Sequence, residues 1–334
     1  MPRFPTNSTS ASAPSPAPRW ERRALAGFVV APLLGMAALV AWVLSVADRL
    51  PDPVAVHFGA RGEADGFGGL AGIVVILVVV SLPIILVMGL LGAWRRNPRI
   101  IRRMLGPASP VFAGFMCGLL PDTLVPQLDL ASAVGVTSGS LWTVAGTTLG
   151  LVVGVVTAMA LTDPPAPVAT DAPDPSLPRG PRVEPIRVEA STGVKLLIAA
   201  WFAGTLASLL ISPALFLLLA LSSFYIVQMH SVRVRVDDAG VHLRMLLGET
   251  IPLETITAAR PARYDWGDSG GVGIRGVGYR GSRGKRIAVA ARSGEALDVD
   301  TTGRNWTIVV PDGAAERIAG DINARLDARP GPRP

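Results

Sequence analysis

Leu70–Trp94 reads LAGIVVILVVVSLPIILVMGLLGAW and runs directly into Arg95-Arg96-Asn97-Pro98-Arg99-Ile100-Ile101-Arg102-Arg103. A run of about 25 uncharged residues exceeds the roughly 20 that an α-helix needs to cross a hydrocarbon core. Five arginines in nine residues follow it and precede another apolar run. That placement marks a cytoplasmic loop by the positive-inside rule more simply than it marks a nucleic-acid patch. The fold class therefore begins as an integral membrane protein.

Composition agrees. Of 334 residues, 50% are hydrophobic and 17% are charged, against roughly 25% charged in soluble domains. Mean hydropathy is +0.44 and the net charge is +6. Much of the positive excess flanks the apolar runs, where anionic lipid accounts for it. The lone cysteine, Cys117, excludes an intrachain disulfide and a cysteine-based zinc site.

On the N-terminal side, Ala24–Ala47 is a first uncharged run, too long and too far from the N-terminus for a secretory signal and expected to stay as a helix. Residues 1–19, rich in Pro, Ser and Ala, are expected to be a disordered tail. On the C-terminal side, about Met104–Leu120 is a third span, ending at Pro121-Asp122, and Ser140–Leu161 is a fourth. Pro121 strains the preceding turn, so Asp122 is expected at a helix exit or break. An acid at that depth is a polar candidate within the membrane. Residues 163–190 read as a Pro-rich extended linker.

Leu196–Val232 carries no Lys, Arg, Asp or Glu. As one helix its roughly 37 residues would extend about 55 Å, nearly twice the hydrocarbon core. Ser212-Pro213 near the middle suits a reversal, so residues 191–231 are expected to form a two-span hairpin. The lysine and arginine count across the loops places both termini in the cytoplasm.

From residue 232 the period changes. Val232-Arg233-Val234-Arg235-Val236 and Val241-His242-Leu243-Arg244 alternate around Asp237-Asp238-Ala239-Gly240, which is a hairpin signature. Strands are expected near 250–256, 285–291, 296–301 and 305–310. A helix over Asp312–Ala328 should follow, with Asp312 as N-cap. Gly267-Asp268-Ser269-Gly270-Gly271 matches a serine-protease string without the fold that chemistry requires. Gly271–Gly276 and Gly276–Gly281 match GxGxxG but lead into a strand, so no helix N-terminus awaits a phosphate. Arg260, Arg263, Arg275, Arg280, Arg283 and Arg286, with Tyr264, Trp266 and Tyr279 among them, could form a basic and aromatic surface facing lipid headgroups.

The polar stretch Leu50–Gly68, LPDPVAVHFGARGEADGFG, separates the first two spans and is where recognition would sit. Asp52, His57, Phe58, Glu63 and Asp65 are the candidate ligand- or partner-binding residues. Their spacing matches no standard zinc motif, and the prolines and glycines around them read equally well as turn-formers. Leu50, Pro51, Asp52, Pro53, His57, Phe58, Gly62, Asp65, Gly66, Phe67 and Gly68 resemble the domain of unknown function of SdpI-like immunity and signalling membrane proteins. That resemblance implies a loop outside the cytoplasmic membrane. Gly59 departs from it, standing where Asn is frequent. The second half resembles, by architecture, bacterial membrane-anchored pleckstrin-homology-like domains, implying a sandwich or open barrel of about seven strands capped by the helix Asp312–Ala328.

The expected whole is an α-helical inner-membrane protein of about six spans with a small cytoplasmic β-domain. Its segments are a four-span part at 20–162 with loop 48–69, the linker 163–190, the hairpin 191–231, the β-domain 232–329 and a tail 330–334. The expected function is a non-enzymatic sensor or scaffold with no catalytic residues, cofactor or metal. The alternative is a transporter or a toxin-immunity or signalling protein. Expected partners are the lipid bilayer, a protein at 232–328 and an unidentified small ligand at loop 50–68, with no nucleic acid.

Overall fold

A computed structural model of the chain describes residues 20–329 apart from 60–61, 164–165, 172, most of 211–230, 245–247, 266–272, 276–279, 282–283 and 291. The tails 1–19 and 330–334, the reversal at Ser212-Pro213 and the protease look-alike Gly267–Gly271 lie outside the described residues.

Among the described residues, four helices are long and apolar enough to cross a membrane. They are α1 (Arg22–Ser45), α2 (Leu70–Ala93), α3 (Arg99–Gln127) and α4 (Leu141–Met159). The third is longer than expected at both ends: Arg99, Arg102 and Arg103 belong to the helix itself, leaving a short connection after α2, and the helix runs through Pro121 and Asp122 to Gln127. Helix α2 exposes Ile76 and Val79 on one side while Leu77 and Ile85 pack inward, so it is apolar all round.

Packing follows small residues. Helices α3 and α4 meet along Gly114 and Gly118 against Gly146 and Gly150. A Cβ on Gly114 would come within 2.1 Å of the Gly146 carbonyl, and one on Gly118 within 2.0 Å of the Trp142 carbonyl. Backbones this close are the usual way membrane helices gain contact without a hydrophobic driving force. Helix α1 opens into a π-helical turn at Ala26–Val30, ahead of Pro32, which has no N–H to donate. Ser109 donates to the Phe28 carbonyl at 2.6 Å in that turn. A second apolar core gathers Met36, Leu39, Val43, Leu77, Ile85 and Leu120 from α1, α2 and α3.

A shorter apolar helix, α5 (Thr192–Ser208), begins at the N-cap Ser191, whose hydroxyl accepts from Val194 N–H. Trp201 Nε1 donates to Ser223 Oγ at 3.1 Å, which places Ser223 beside α5.

The C-terminal part holds two sheets. The first orders β3 (Ile186–Glu189), β4 (Ser231–Asp237), β5 (Gly240–Arg244) and β6 (Glu249–Pro252), all antiparallel. The second orders β7 (Ile256–Tyr264), β11 (Gly294–Thr301), β12 (Asn305–Val309), β10 (Gly284–Ala290) and β8 (Gly273–Arg275), with β9 (Arg280–Gly281) pairing β10. The β10–β12 pairing is parallel. One apolar core joins both sheets to helix α6 (Ala315–Asp327): Val234, Leu243, Ile251, Ile256, Leu297 and Ile308 meet Ile318 and Ile322. This is a helix-backed β-domain.

Four expectations change. The Pro-rich segment is not a free linker: β3 lies within it and pairs with β4. Upstream of β3 the same segment lies along α6, with Val183 N–H bound to Asp321, Asn323 Nδ2 to the Pro178 carbonyl and Arg179 to Asp327. The β-domain therefore starts well before residue 232. The strand expected at 250–256 is broken by a 3-10 turn at Leu253–Thr255 into β6 and β7, one in each sheet. Asp312 does not cap α6; the Glu295 carboxylate reaches across to Gly313 N–H and, at 2.8 Å, to Ala315 N–H. The expected basic and aromatic surface keeps Arg263 exposed but loses other members. Tyr264 and Arg286 are buried, Arg286 bonds Asp300 at 2.7 Å, and Arg260 bonds the same aspartate at 2.5 Å.

Candidate functional site

The stretch between α1 and α2 is a β-hairpin rather than a string of turns. Strand β1 (Val54–Phe58) pairs antiparallel with β2 (Ala64–Gly68), with an irregularity around His57. Ahead of it Val54 and Ala55 are both buried, so the alternation expected of a strand is absent at its start. The hairpin is anchored through its backbone. Gln127, fully buried at the end of α3, accepts from Ala55 N–H at 2.7 Å and donates to the Ala55 carbonyl at 3.0 Å. Its amide thus does for β1 what a neighbouring strand would do. On the other edge, Ala64 N–H bonds the Val136 carbonyl at 2.9 Å and Ser138 N–H bonds the Gly62 carbonyl at 3.0 Å.

On this frame His57 Nδ1 and Asp65 Oδ1 lie 2.5 Å apart, with side-chain exposures of 73% and 52%. Gly66 sits opposite His57, and a Cβ there would lie 2.8 Å from His57 Cβ. The pair therefore depends on a glycine to let the strands close. Asp65 fixes the ring through one nitrogen, leaving Nε2 without a partner among the described residues. Val56 and Phe67 are exposed on the same hairpin. Phe58 is half-buried, Glu63 is exposed with its backbone bridging to Thr137, and Asp52 is exposed beside the cis peptide bond to Pro53. Of the five candidates, the structure brings His57 and Asp65 into direct contact. Among the described residues no three His, Cys, Asp or Glu side chains converge as a metal site.

Asp122 is elsewhere and already occupied. It lies buried near the end of α3, past Pro121, and accepts from Trp142 N–H at 3.1 Å and Thr143 N–H at 2.7 Å. It caps the N-terminus of α4, where a carboxylate is favoured by the unsatisfied N–H groups.

Sequence reasoning missed the opposite end of the four helices. Buried Arg102 ion-pairs with Glu21 and also bonds the carbonyls of Gly92 at 3.0 Å and Thr162 at 3.2 Å. The ends of all four helices are thereby tied together. Beyond them, Arg99 lies 3.4 Å from Asp163 and 3.8 Å from Glu249 of β6, and Arg304 lies 3.6 Å from Asp163. A cavity of about 750 Å³ is lined by these groups between the helices and the β-domain. Burial, reinforced by the Asp163 charge, pushes the Glu249 carboxyl up to about 7, against the opposing pull of Arg99, Arg103 and Arg304. The dense arginines before and within α3 were the visible signal; their acidic partners are scattered along the chain.

No curated protein and no solved structure matches the chain. Residues 33–82, which span the second half of α1, the hairpin and the first half of α2, match the family described as a domain of unknown function (DUF1648).

Proposed function

We propose that the protein is a non-enzymatic membrane sensor or scaffold. In this reading the β1–β2 hairpin meets a ligand or partner outside the cytoplasmic membrane, and the β-domain serves as an interaction module at the inner leaflet. The observation that carries it is the contrast within the hairpin. Its backbone is locked by Gln127, while His57, Asp65, Val56 and Phe67 are left exposed. Rigid presentation of a few polar and apolar groups lowers the ordering cost of binding. The resemblances to SdpI-like proteins and to pleckstrin-homology-like domains fit this arrangement.

The six-span topology draws support from the pairing of Glu189 with Ser231. A segment that leaves and re-enters the same sheet crosses a bilayer an even number of times, if it crosses at all. Asp122, engaged as a helix cap, favours the scaffold over a transporter that would need a free acid on its path.

Reporter fusions after Gly62 and after Arg329 are expected to read opposite sides of the membrane; the same side for both would overturn the topology. A photo-crosslinker at position 67 is expected to give adducts in cells that disappear with His57→Ala or Asp65→Asn, while solute flux in vesicles stays normal. Adducts unaffected by both substitutions would remove the hairpin from recognition.

A further inference from the structure

The exposed face of the first sheet carries an arrangement that isolated folding does not favour. In hydrogen-bonded register, Arg187 of β3 lies directly opposite Arg233 of β4, and Arg233 lies directly opposite Arg244 of β5. All three are exposed. Like charges directly across a sheet are destabilising. The acids nearby offer little relief. Glu189 is held by Lys195 at 2.5 Å and stands 3.9 Å from Arg187, while Asp237 is shared by His242 and Arg235. Among the described residues Arg233 and Arg244 have no carboxylate partner.

The position of this row gives it a counter-charge. Arg187 and Arg233 stand two residues, or about 7 Å of strand, from Glu189 and Ser231, where the chain leaves the sheet for the apolar hairpin and returns from it. Helix α5 begins at Thr192, three residues beyond Glu189. The row is therefore within one strand turn of the place where the bilayer surface would lie.

We propose that Arg187, Arg233 and Arg244 form a docking surface for the phosphates of anionic lipid headgroups, holding the β-domain face against the inner leaflet. The proposal rests on the hairpin 191–231 entering the bilayer, which a separate reporter fused after Leu210 tests: it is expected to read the side opposite to Arg329. A basic residue close to an anionic leaflet contributes about 1 kcal/mol, or roughly fivefold in occupancy. Three neighbours in register act on one headgroup cluster, and the surface relieves their mutual repulsion.

The full chain is to be reconstituted in nanodiscs of phosphatidylcholine alone or with phosphatidylglycerol, and its arginines labelled with a neutral dicarbonyl reagent read by mass spectrometry. Labelling of Arg187, Arg233 and Arg244 is expected to slow at least fivefold with phosphatidylglycerol, while Arg182, 80% exposed, is unchanged. In Arg233→Gln, labelling of Arg187 and Arg244 should recover, and the thermal midpoint in neutral detergent should rise as the repulsion is removed. Equal labelling in both nanodiscs would overturn the proposal. So would protection in phosphatidylcholine nanodiscs on adding inorganic phosphate or an oligonucleotide, or a fall in the midpoint of Arg233→Gln.

Discussion

The two ends of the four-helix part carry charge in opposite ways. At the hairpin end, His57 and Asp65 pair at 2.5 Å in the open, and their backbone is secured by the uncharged Gln127. At the other end Glu21 and Arg102 are buried together, and Arg102 spends its remaining donors on main-chain carbonyls. An exposed pair contributes little to stability, because water competes with it and screens it. A buried pair is costly to break, because the survivor is left desolvated and uncompensated. A buried ion pair therefore ties the helices at one end, while at the other, where the buried carboxylate Asp122 serves as a helix cap, the His57–Asp65 pair is left available.

The largest break in that comparison is expected at Arg102. Arg102→Ala leaves buried Glu21 with only Thr162 and the more distant Arg95, and should cost about 3 kcal/mol, seen as a large fall in the thermal midpoint in detergent. Pairing Arg102→Leu with Glu21→Gln should restore much of it. A loss below about 1 kcal/mol in Arg102→Ala would mean that the pair does not hold the helix ends.

An intermediate effect is expected where the helices meet the β-domain. Glu249 faces Asp163 after α4, Arg99 and Arg103 of α3, and Arg304 before β12, and its carboxyl is pushed up to about 7 from an ordinary 4.5. Because the docked form holds the proton more tightly, its contribution to docking is complete below pH 4.5 and is lost as pH rises through about 7. The full swing amounts to about 3 kcal/mol. Spin labels at 96 and 303, both exposed positions flanking the cavity, should move apart between pH 5 and 8. Glu249→Gln should flatten that profile; a distance independent of pH in the unsubstituted protein would sink the coupling.

The smallest effect on stability is expected at the hairpin. His57→Ala should change unfolding free energy by less than about 1 kcal/mol, measured by thermal melting. A larger loss would make the pair a structural clasp and erase the contrast with Arg102.

Much of the frame was legible because membrane spans depend on one-dimensional composition: Leu70–Ala93 can be read without knowing any contact. The alternation of β4 and β5 was equally visible, since one face is buried and the other wet. Strand β1 was hidden by its irregularity, and β3 by its four-residue length inside a Pro-rich context. His57 and Asp65 were picked out eight residues apart, whereas Gln127 joins Ala55 across 72 residues and Arg102 joins Glu21 across 81. Pairings at such separations leave no periodic trace. Asp122 was expected at a helix exit or break after Pro121, but the helix runs on to Gln127, and the partner of Asp122 is the start of another helix, which no local pattern announces.

The placement of β3 and β4 on either side of residues 190–230 bears on how the protein is made. A ribosome delivers the first strand of that sheet, then about forty residues of largely apolar chain, and only afterwards the neighbour with which the strand pairs. The first sheet is thus completed only after that apolar segment has been made, and a misplaced segment would leave β3 stranded and β4 with an open edge that quality control can recognise. A gene fragment begun at residue 232 would carry the same open edge.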